Sequence, residues 1–218
     1  MQAIHTMQTE MTTSTERNDQ RAALLHLIAT LSFRLGDFTL SSGAHSDYYI
    51  DCRTTTLHAE GGRLAGLVLY DVIRQNDMRP HAIGGLTMGA DPLVSNVASA
   101  SAWHRIDHPG SPLIHGFLVR KSEKTHGTGR RIEGFCEAGA RVVIVDDVCT
   151  TGASTIQAIE AARAAAMHVA GVLCLVDRQE HNGRAAVQAA AQDAPFIPLF
   201  TAADVRAAHL AAKQQQSR

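Results

Sequence analysis

The run of residues 141–155 constrains the fold more than any other part of this chain. It opens with four consecutive β-branched residues, from Val142 to Val145, which are typical of a parallel strand covered on both faces. Asp146 and Asp147 follow directly. They are therefore predicted to lie at the C-terminal end of that strand, where open α/β sheets bind their ligands.

A turn rich in hydroxyl groups and glycine comes after this acidic pair. It offers side-chain hydroxyls and backbone N–H groups ahead of a predicted helix, through Thr150, Thr151, Gly152, Ala153 and Ser154. A helix N-terminus of this kind favours phosphate, and two carboxylates beside it fit a phosphorylated ribose. The alternative is an ordinary strand-to-helix connection with a Thr or Ser cap. Neither Gly-x-x-x-x-Gly-Lys-Ser/Thr nor Gly-x-Gly-x-x-Gly occurs, which argues against triphosphate and dinucleotide sites.

Apolar periodicity predicts strands and helices in alternation along most of the chain. Helices are predicted over residues 19–32, 60–76, 90–102, 154–166, 185–191 and 203–213, and strands over residues 80–86, 113–120, 141–147, 169–177 and 196–200. Residues 39–53 suggest a hairpin-like hood, because a Ser-Ser-Gly turn precedes an aromatic and β-branched stretch. This order predicts an α/β protein with a mostly parallel, doubly wound sheet flanked by helices.

The domain division follows from the same pattern. Residues 19–218 are predicted to form a single domain, and residues 19–55 contribute most of its hood. Residues 1–18 are predicted to be a disordered extension. Residues 1–18 also lack the basic end and apolar core of a secretion signal.

Composition places the chain among ordinary globular proteins and argues against nucleic acid and membranes as general partners. A formal charge of −1 gives no general reason to bind nucleic acid or a membrane surface. No apolar stretch approaches the roughly 20 residues that span a bilayer. The cysteines are far apart and follow no zinc or redox spacing, which favours the reduced thiols of a cytoplasmic protein. They are Cys52, Cys136, Cys149 and Cys174.

A basic segment, residues 120–131, lies between two predicted strands. It carries six basic residues, counting one histidine: Arg120, Lys121, Lys124, His126, Arg130 and Arg131. A segment of this composition can close over an anionic substrate and neutralise a departing diphosphate. A solvated surface loop is the alternative, because loops are often charged.

These segments together resemble a known family. The acidic pair and its turn resemble the phosphoribosyl-pyrophosphate (PRPP) binding loop of type I phosphoribosyltransferases. Arg120-Lys121-x-x-Lys124-x-His126-Gly127 is similar to the catalytic loop of orotate phosphoribosyltransferases. Residues 38–53, 84–90 and 176–180 resemble the family's amino-terminal motif, its second substrate turn and the strand end that carries an orotate-contacting arginine.

The resemblance implies the type I phosphoribosyltransferase fold and a glycosyltransferase activity. The reaction would be transfer of the 5-phosphoribosyl group from PRPP to N1 of orotate, giving orotidine 5′-monophosphate and diphosphate for UMP synthesis. The implied cofactor is Mg²⁺, held mainly by PRPP and water. No direct protein ligand is expected, and Asp146 or Asp147 would reach the ion through water or the ribose hydroxyls. A homodimer with shared active sites is implied, without nucleic-acid or membrane partners.

The resemblance also implies roles for individual residues. The catalytic residues would be Lys124, His126, Asp146 and Asp147. PRPP would be bound by Arg120, Lys121, Lys124, His126, Asp146, Asp147, Thr150, Thr151, Gly152, Ala153 and Ser154. Orotate would be bound by Tyr48, Tyr49, Thr150 and Arg178. Adjacent residues of a strand point to opposite faces, so only one of the two tyrosines is expected against the ligand.

Two positions depart from the family pattern. Many relatives have lysine where this chain has Ser41 and Met88. The loss of two cations can weaken binding of a polyanion, or Arg53, Arg130 and Arg131 can compensate. Two other functions stay open: a phosphoribosyltransferase for another base, and a non-catalytic regulator that senses PRPP.

Overall fold

A computed structural model describes residues 2–39, 45–121 and 131–216 of the chain. The N-terminal part is a helix followed by a small two-stranded sheet. Helix α1, Gln2–Leu27, continues into a π-helical turn, Ile28–Ser32. Strand β1, Phe33–Thr39, then pairs antiparallel with β2, His45–Ile50. The predicted hood is thus confirmed, although its first strand begins earlier than expected, at Phe33.

The beginning of α1 differs from the prediction. A disordered extension was expected over residues 1–18 and a helix from Asp19, whereas α1 begins at Gln2. Residues 2–18 contain no glycine or proline. Once the C-terminal half of the helix is packed, each further residue that becomes helical adds one backbone hydrogen bond, so the helix extends toward the N-terminus. The division of the chain into an extension and a domain stays a prediction.

The rest of the described chain alternates between strands and helices. In chain order the elements are α2 Arg53–Thr56, α3 Ala59–Gln75, β3 Ala82–Leu86, α4 Asp91–Asp107, β4 His115–Val119, β5 Ile132–Gly134, β6 Arg141–Cys149, α5 Ala153–Ala164, β7 His168–Asp177, α6 Gly183–Ala191, β8 Phe196–Thr201 and α7 Ala202–Gln216. Their order confirms the predicted alternation. The short strand β5 was not predicted.

A six-stranded sheet, ordered β5-β4-β3-β6-β7-β8, forms the centre of the fold. All neighbouring strands are parallel except β5, which runs antiparallel to β4. The predicted mostly parallel sheet is therefore confirmed. Strand β3 pairs with β6 only as far as Ile144, whereas β7 pairs with β6 as far as Cys149. The C-terminal part of β6 thus extends past the end of its neighbour β3.

The core lies on both faces of this sheet, as the β-branched run predicts. Val143 and Val145 join the cluster that contains residues of α1, α3, α4 and the hood. Val142 and Ile144 join the cluster formed with α5 and α6. All four side chains are fully buried. Among the described helices, none combines the length and apolar character needed to cross a membrane.

Candidate active site

A cavity of about 690 Å³ opens at the C-terminal ends of the parallel strands. The hood and the turn after β3 form one side, and β6 with its following turn forms the other. Its lining residues are Tyr49, Ile50, Asp51, Arg53, Leu86, Thr87, Met88, Gly89, Arg120, Lys121, Asp146, Asp147, Val148, Thr150, Ser154 and Arg178. Most of the described residues that the sequence predicted for substrate binding therefore meet in one cavity.

Asp146 is buried on the α5 side of the sheet, with 5% of its surface exposed. Its Oδ2 accepts a hydrogen bond of 2.7 Å from Thr155 Oγ1, and its Oδ1 accepts one of 3.0 Å from the Asp147 backbone N–H. Burial, and then the charge of Asp147, raise the pKa of Asp146 to about 7. Its surroundings therefore favour the neutral form of this carboxyl more than water does.

Asp147 lies on the opposite face of β6, because consecutive strand residues alternate. Its Oδ1 accepts a hydrogen bond of 2.9 Å from the Val148 backbone N–H. Gly89 approaches the carboxylate so closely that an added Cβ would lie 2.5 Å from Asp147 Oδ1. Burial is the main cause that raises the pKa of Asp147. Two neighbouring acids at the cavity offer oxygens to a diol, or to a cation with its water.

The turn after β6 is fixed against α6. Gly152 has a left-handed backbone, with φ of 77°, and an added Cβ would collide with the Val187 side chain. An added Cβ at Gly183 would collide with the Thr150 carbonyl oxygen. Thr150 and Ser154 line the cavity, and α5 begins at Ala153, so its first N–H groups lie at this edge. Thr151, Gly152 and Ala153 shape the turn without lining the cavity.

The two tyrosines of β2 point in opposite directions, as predicted. Tyr49 lines the cavity and is 39% exposed. Tyr48 is buried, and its ring stacks on Phe33 with centroids 5.5 Å apart. Arg178 lies between Tyr48 and the cavity, with its Cζ 4.6 Å from the centroid of the Tyr48 ring. The structure therefore brings Tyr49 and Arg178 to the cavity and leaves Tyr48 behind them.

The basic segment is anchored at both ends. The Arg120 backbone N–H donates to the Arg131 carbonyl at 2.9 Å, and Arg120 Nε lies 3.0 Å from Glu133 Oε1. Arg120 and Lys121 line the cavity. Lys124, His126 and Arg130 lie outside the described residues, and so does Ser41. The roles expected for Lys124 and His126 therefore stay predictions.

Sequence reasoning missed an ion pair that the hood contributes to the site. Asp51 and Arg53 form a two-contact ion pair on the cavity wall, with Nε to Oδ1 and NH2 to Oδ2 both at 2.8 Å. Part of the Arg53 charge is thus already balanced. Met88, one of the departures from the family pattern, is 65% exposed at the cavity. The motif resemblance contained these residues but gave no role to Asp51.

The donor set fits a cation held mainly by substrate. The Asp146 and Asp147 oxygens are the hard ligands that Mg²⁺ accepts. The described residues contain no cluster of three or more His, Cys, Asp or Glu side chains that would hold a metal by themselves. Any Mg²⁺ at this edge would thus need oxygens from the substrate or from water.

Comparison with known proteins agrees with the geometry. The orotate phosphoribosyltransferase of Synechocystis sp. is 41% identical over 187 residues, covering 85% of this chain and 88% of its own. The orotate phosphoribosyltransferase of Streptomyces avermitilis is 44% identical over 163 residues, covering 74% of this chain and 84% of its own. No protein-family model matches the chain.

Solved structures show the same fold. The orotate phosphoribosyltransferase of Mycobacterium tuberculosis H37Rv, in complex with Fe(III) dicitrate, superposes with a TM-score of 0.71 at 36% identity, covering 85% of this chain and 98% of its own. The structure of the same enzyme in complex with PRPP gives a TM-score of 0.65 at 30% identity, covering 86% of this chain and 92% of its own.

Proposed function

This chain belongs to the orotate phosphoribosyltransferase family, and we propose that it transfers the 5-phosphoribosyl group of PRPP to N1 of orotate. The products are orotidine 5′-monophosphate and diphosphate, in the synthesis of UMP. One observation carries the proposal: the acidic pair that suits a ribose and the arginine that suits a base carboxylate line the same cavity.

The ribose is held by groups on β6 and its turn. Asp146 and Asp147 accept hydrogen bonds from the 2′- and 3′-hydroxyls, and Thr150, Ser154 and the first N–H groups of α5 surround the 5′-phosphate. C1 then develops oxocarbenium character as its bond to the diphosphate oxygen breaks and the bond to N1 forms. The proton that N1 loses passes to the departing diphosphate or to water. Fixing the sugar at both ends keeps these two bonds in line.

The base lies between the hood and β7. Arg178 supplies the cation for the orotate carboxylate, and Tyr49 supplies an aromatic wall for the planar ring. On the other side of C1, Arg120 and Lys121 attract the diphosphate, and Lys124 and His126 contact it as its charge grows. When bound, Mg²⁺ neutralises part of the charge of the diphosphate.

An absorbance assay with orotate, PRPP and Mg²⁺ tests the activity, with uracil, adenine and hypoxanthine as control bases. We expect turnover with orotate alone, since only orotate carries a carboxylate for Arg178. Turnover with a control base and none with orotate would assign the enzyme to another base. Absence of turnover with every base would favour a regulator.

A shared active site in a homodimer is part of the proposal, supported by the family resemblance. Lys124→Ala and Arg178→Ala variants should each be nearly inactive because each removes one half of the site. If the two halves come from different subunits, unfolded and refolded mixtures should recover about one quarter of wild-type activity, from mixed dimers with one intact site.

Mass spectrometry should first confirm that mixed dimers form. Activity that stays at the level of the separate variants would then place both halves in one subunit. A Lys213→Ala variant mixed with Arg178→Ala serves as the control for refolding, because Lys213 lies on α7, away from the cavity.

A cytoplasmic location also belongs to the proposal. The cysteines Cys52, Cys136, Cys149 and Cys174 are all free thiols, and all but Cys136 are buried. Free thiols agree with a reducing compartment.

A further inference from the structure

Arg178 belongs to a partly buried polar cluster that also contains Ser46, Tyr48 and Glu180. Its Nε donates to the Tyr48 hydroxyl at 3.2 Å, and its NH2 lies 3.1 Å from Glu180 Oε2. The same NH2 donates to Ser46 Oγ at 3.3 Å. Tyr48 in turn donates to Glu180 Oε1 at 2.5 Å. Two of the three guanidinium nitrogens are therefore held by neighbours from β2 and from the chain after β7.

Aromatic packing supports the cluster from behind. Tyr48 lies between the Arg178 guanidinium and Phe33, and the Phe33 ring contacts the His209 ring with centroids 5.1 Å apart. The Arg178 side chain is only 6% exposed, so few other rotamers are open to it. Its orientation is consequently set before a ligand enters.

Charge balance within the cluster explains why a buried arginine is tolerated there. Glu180 supplies the compensating carboxylate, which is 31% exposed. Burial and the hydrogen bond to Glu180 raise the pKa of Tyr48 to about 12, so this hydroxyl stays protonated and donates at neutral pH. NH1 of Arg178 makes no hydrogen bond to any residue that the structure describes, and Arg178 lines the cavity.

We propose that Glu180 and Tyr48 are positioning residues that hold Nε and NH2 of Arg178 and leave NH1 for the carboxylate of the base. They thereby make the enzyme selective for a carboxylated pyrimidine, because a site built to bind a polar group discriminates against the analogue that lacks it. This inference rests on the proposed function, since it concerns the same cavity.

The test measures the steady-state constants for both substrates in Glu180→Ala, Glu180→Gln and Tyr48→Phe. We expect the KM for orotate to rise about 10- to 100-fold in Glu180→Ala, and less in the other two, with kcat and the KM for PRPP changed by less than about 3-fold. Glu180→Gln keeps an acceptor for Tyr48 without the charge, and Tyr48→Phe keeps the ring without the hydroxyl.

Glu160→Gln, on the exposed face of α5, is the matched control and should leave all constants unchanged. An unchanged KM for orotate in Glu180→Ala would overturn the positioning role. So would an equal rise in both KM values together with a lower melting temperature, which indicates general loosening of the fold. If the wild-type enzyme uses another base and not orotate, the proposed function itself is refuted. The assay of the wild type is done first and detects that case.

Discussion

Asp146→Asn is expected to lower kcat/KM for PRPP by about 10²- to 10³-fold, and at the same time to stabilise the protein above pH 7. The loss of activity follows from the ribose contact, because a neutral amide accepts hydrogen bonds more weakly than a carboxylate. The gain in stability follows from the burial that raises the pKa of Asp146 to about 7.

The sign of the pH effect is set by that raised pKa. The folded protein holds the proton more tightly than the unfolded chain, so the contribution of Asp146 to stability is present at low pH. It is lost as the pH rises toward 7, on the order of 1 kcal/mol per unit of pKa difference. The amide of the Asp146→Asn variant does not titrate, so the variant should lose this slope.

The amide can take over the existing hydrogen bonds. Its oxygen can accept from the Asp147 N–H, and its NH2 can donate to the Thr155 hydroxyl, which is free to rotate. Urea unfolding at pH 5 and pH 8, alongside PRPP kinetics, measures both effects. A variant that is less stable than the wild type at pH 8 would contradict the claim that the buried charge of Asp146 destabilises the folded protein.

Asp71→Asn is the matched control for this experiment. Burial also raises the pKa of Asp71, but this residue lies on α3 and does not line the cavity. It should change the pH dependence of unfolding and leave kcat/KM at the wild-type value. Equal losses of activity in both variants would show that the loss comes from removing a negative charge anywhere in the protein, and not from the ribose contact.

Gly89→Ala should lower kcat/KM for PRPP by at least about 10²-fold while the fold persists, because displacing a catalytic group by about 1 Å costs that much. The added Cβ would lie 2.5 Å from Asp147 Oδ1 and 3.0 Å from its Cγ. The carboxylate must therefore turn away from its present position, or the turn after β3 must shift.

Gly116→Ala supplies the comparison for overpacking. Its Cβ would meet Val94 Cγ1 at 2.8 Å, inside the fold, and it does not line the cavity. It should lower the melting temperature and retain most of the activity. Wild-type activity in Gly89→Ala would show that the position of Asp147 is not critical, and an equal loss in both variants would indicate a general packing defect.

The sequence predicted those parts of the site that depend on local pattern. The β-branched run of β6 placed the acidic pair near the C-terminal end of that strand, and alternation along β2 placed one tyrosine at the cavity, as the structure has them. The bond from Tyr48 to Glu180 joins residues 132 positions apart, and no periodicity reports such a contact. Strand β5 is only three residues long, too short for a pattern to appear.

The boundaries of α1 and β6 were also missed, for a related reason. Each element extends past its apolar pattern because its backbone hydrogen bonds continue beyond the residues that carry the pattern. Val148 and Cys149 keep β6 paired with Val176 and Asp177 of β7. That extension supports the turn that would hold the phosphate.

The most direct test of the site is a crystal structure of the protein with PRPP and Mg²⁺. We predict an oxygen of Asp146 and one of Asp147 at about 2.5–3.0 Å from the ribose hydroxyl oxygens, with the 5′-phosphate in the turn of residues 150–154. A ribose bound elsewhere, with both carboxylates turned away from its hydroxyls, would contradict the proposed binding mode.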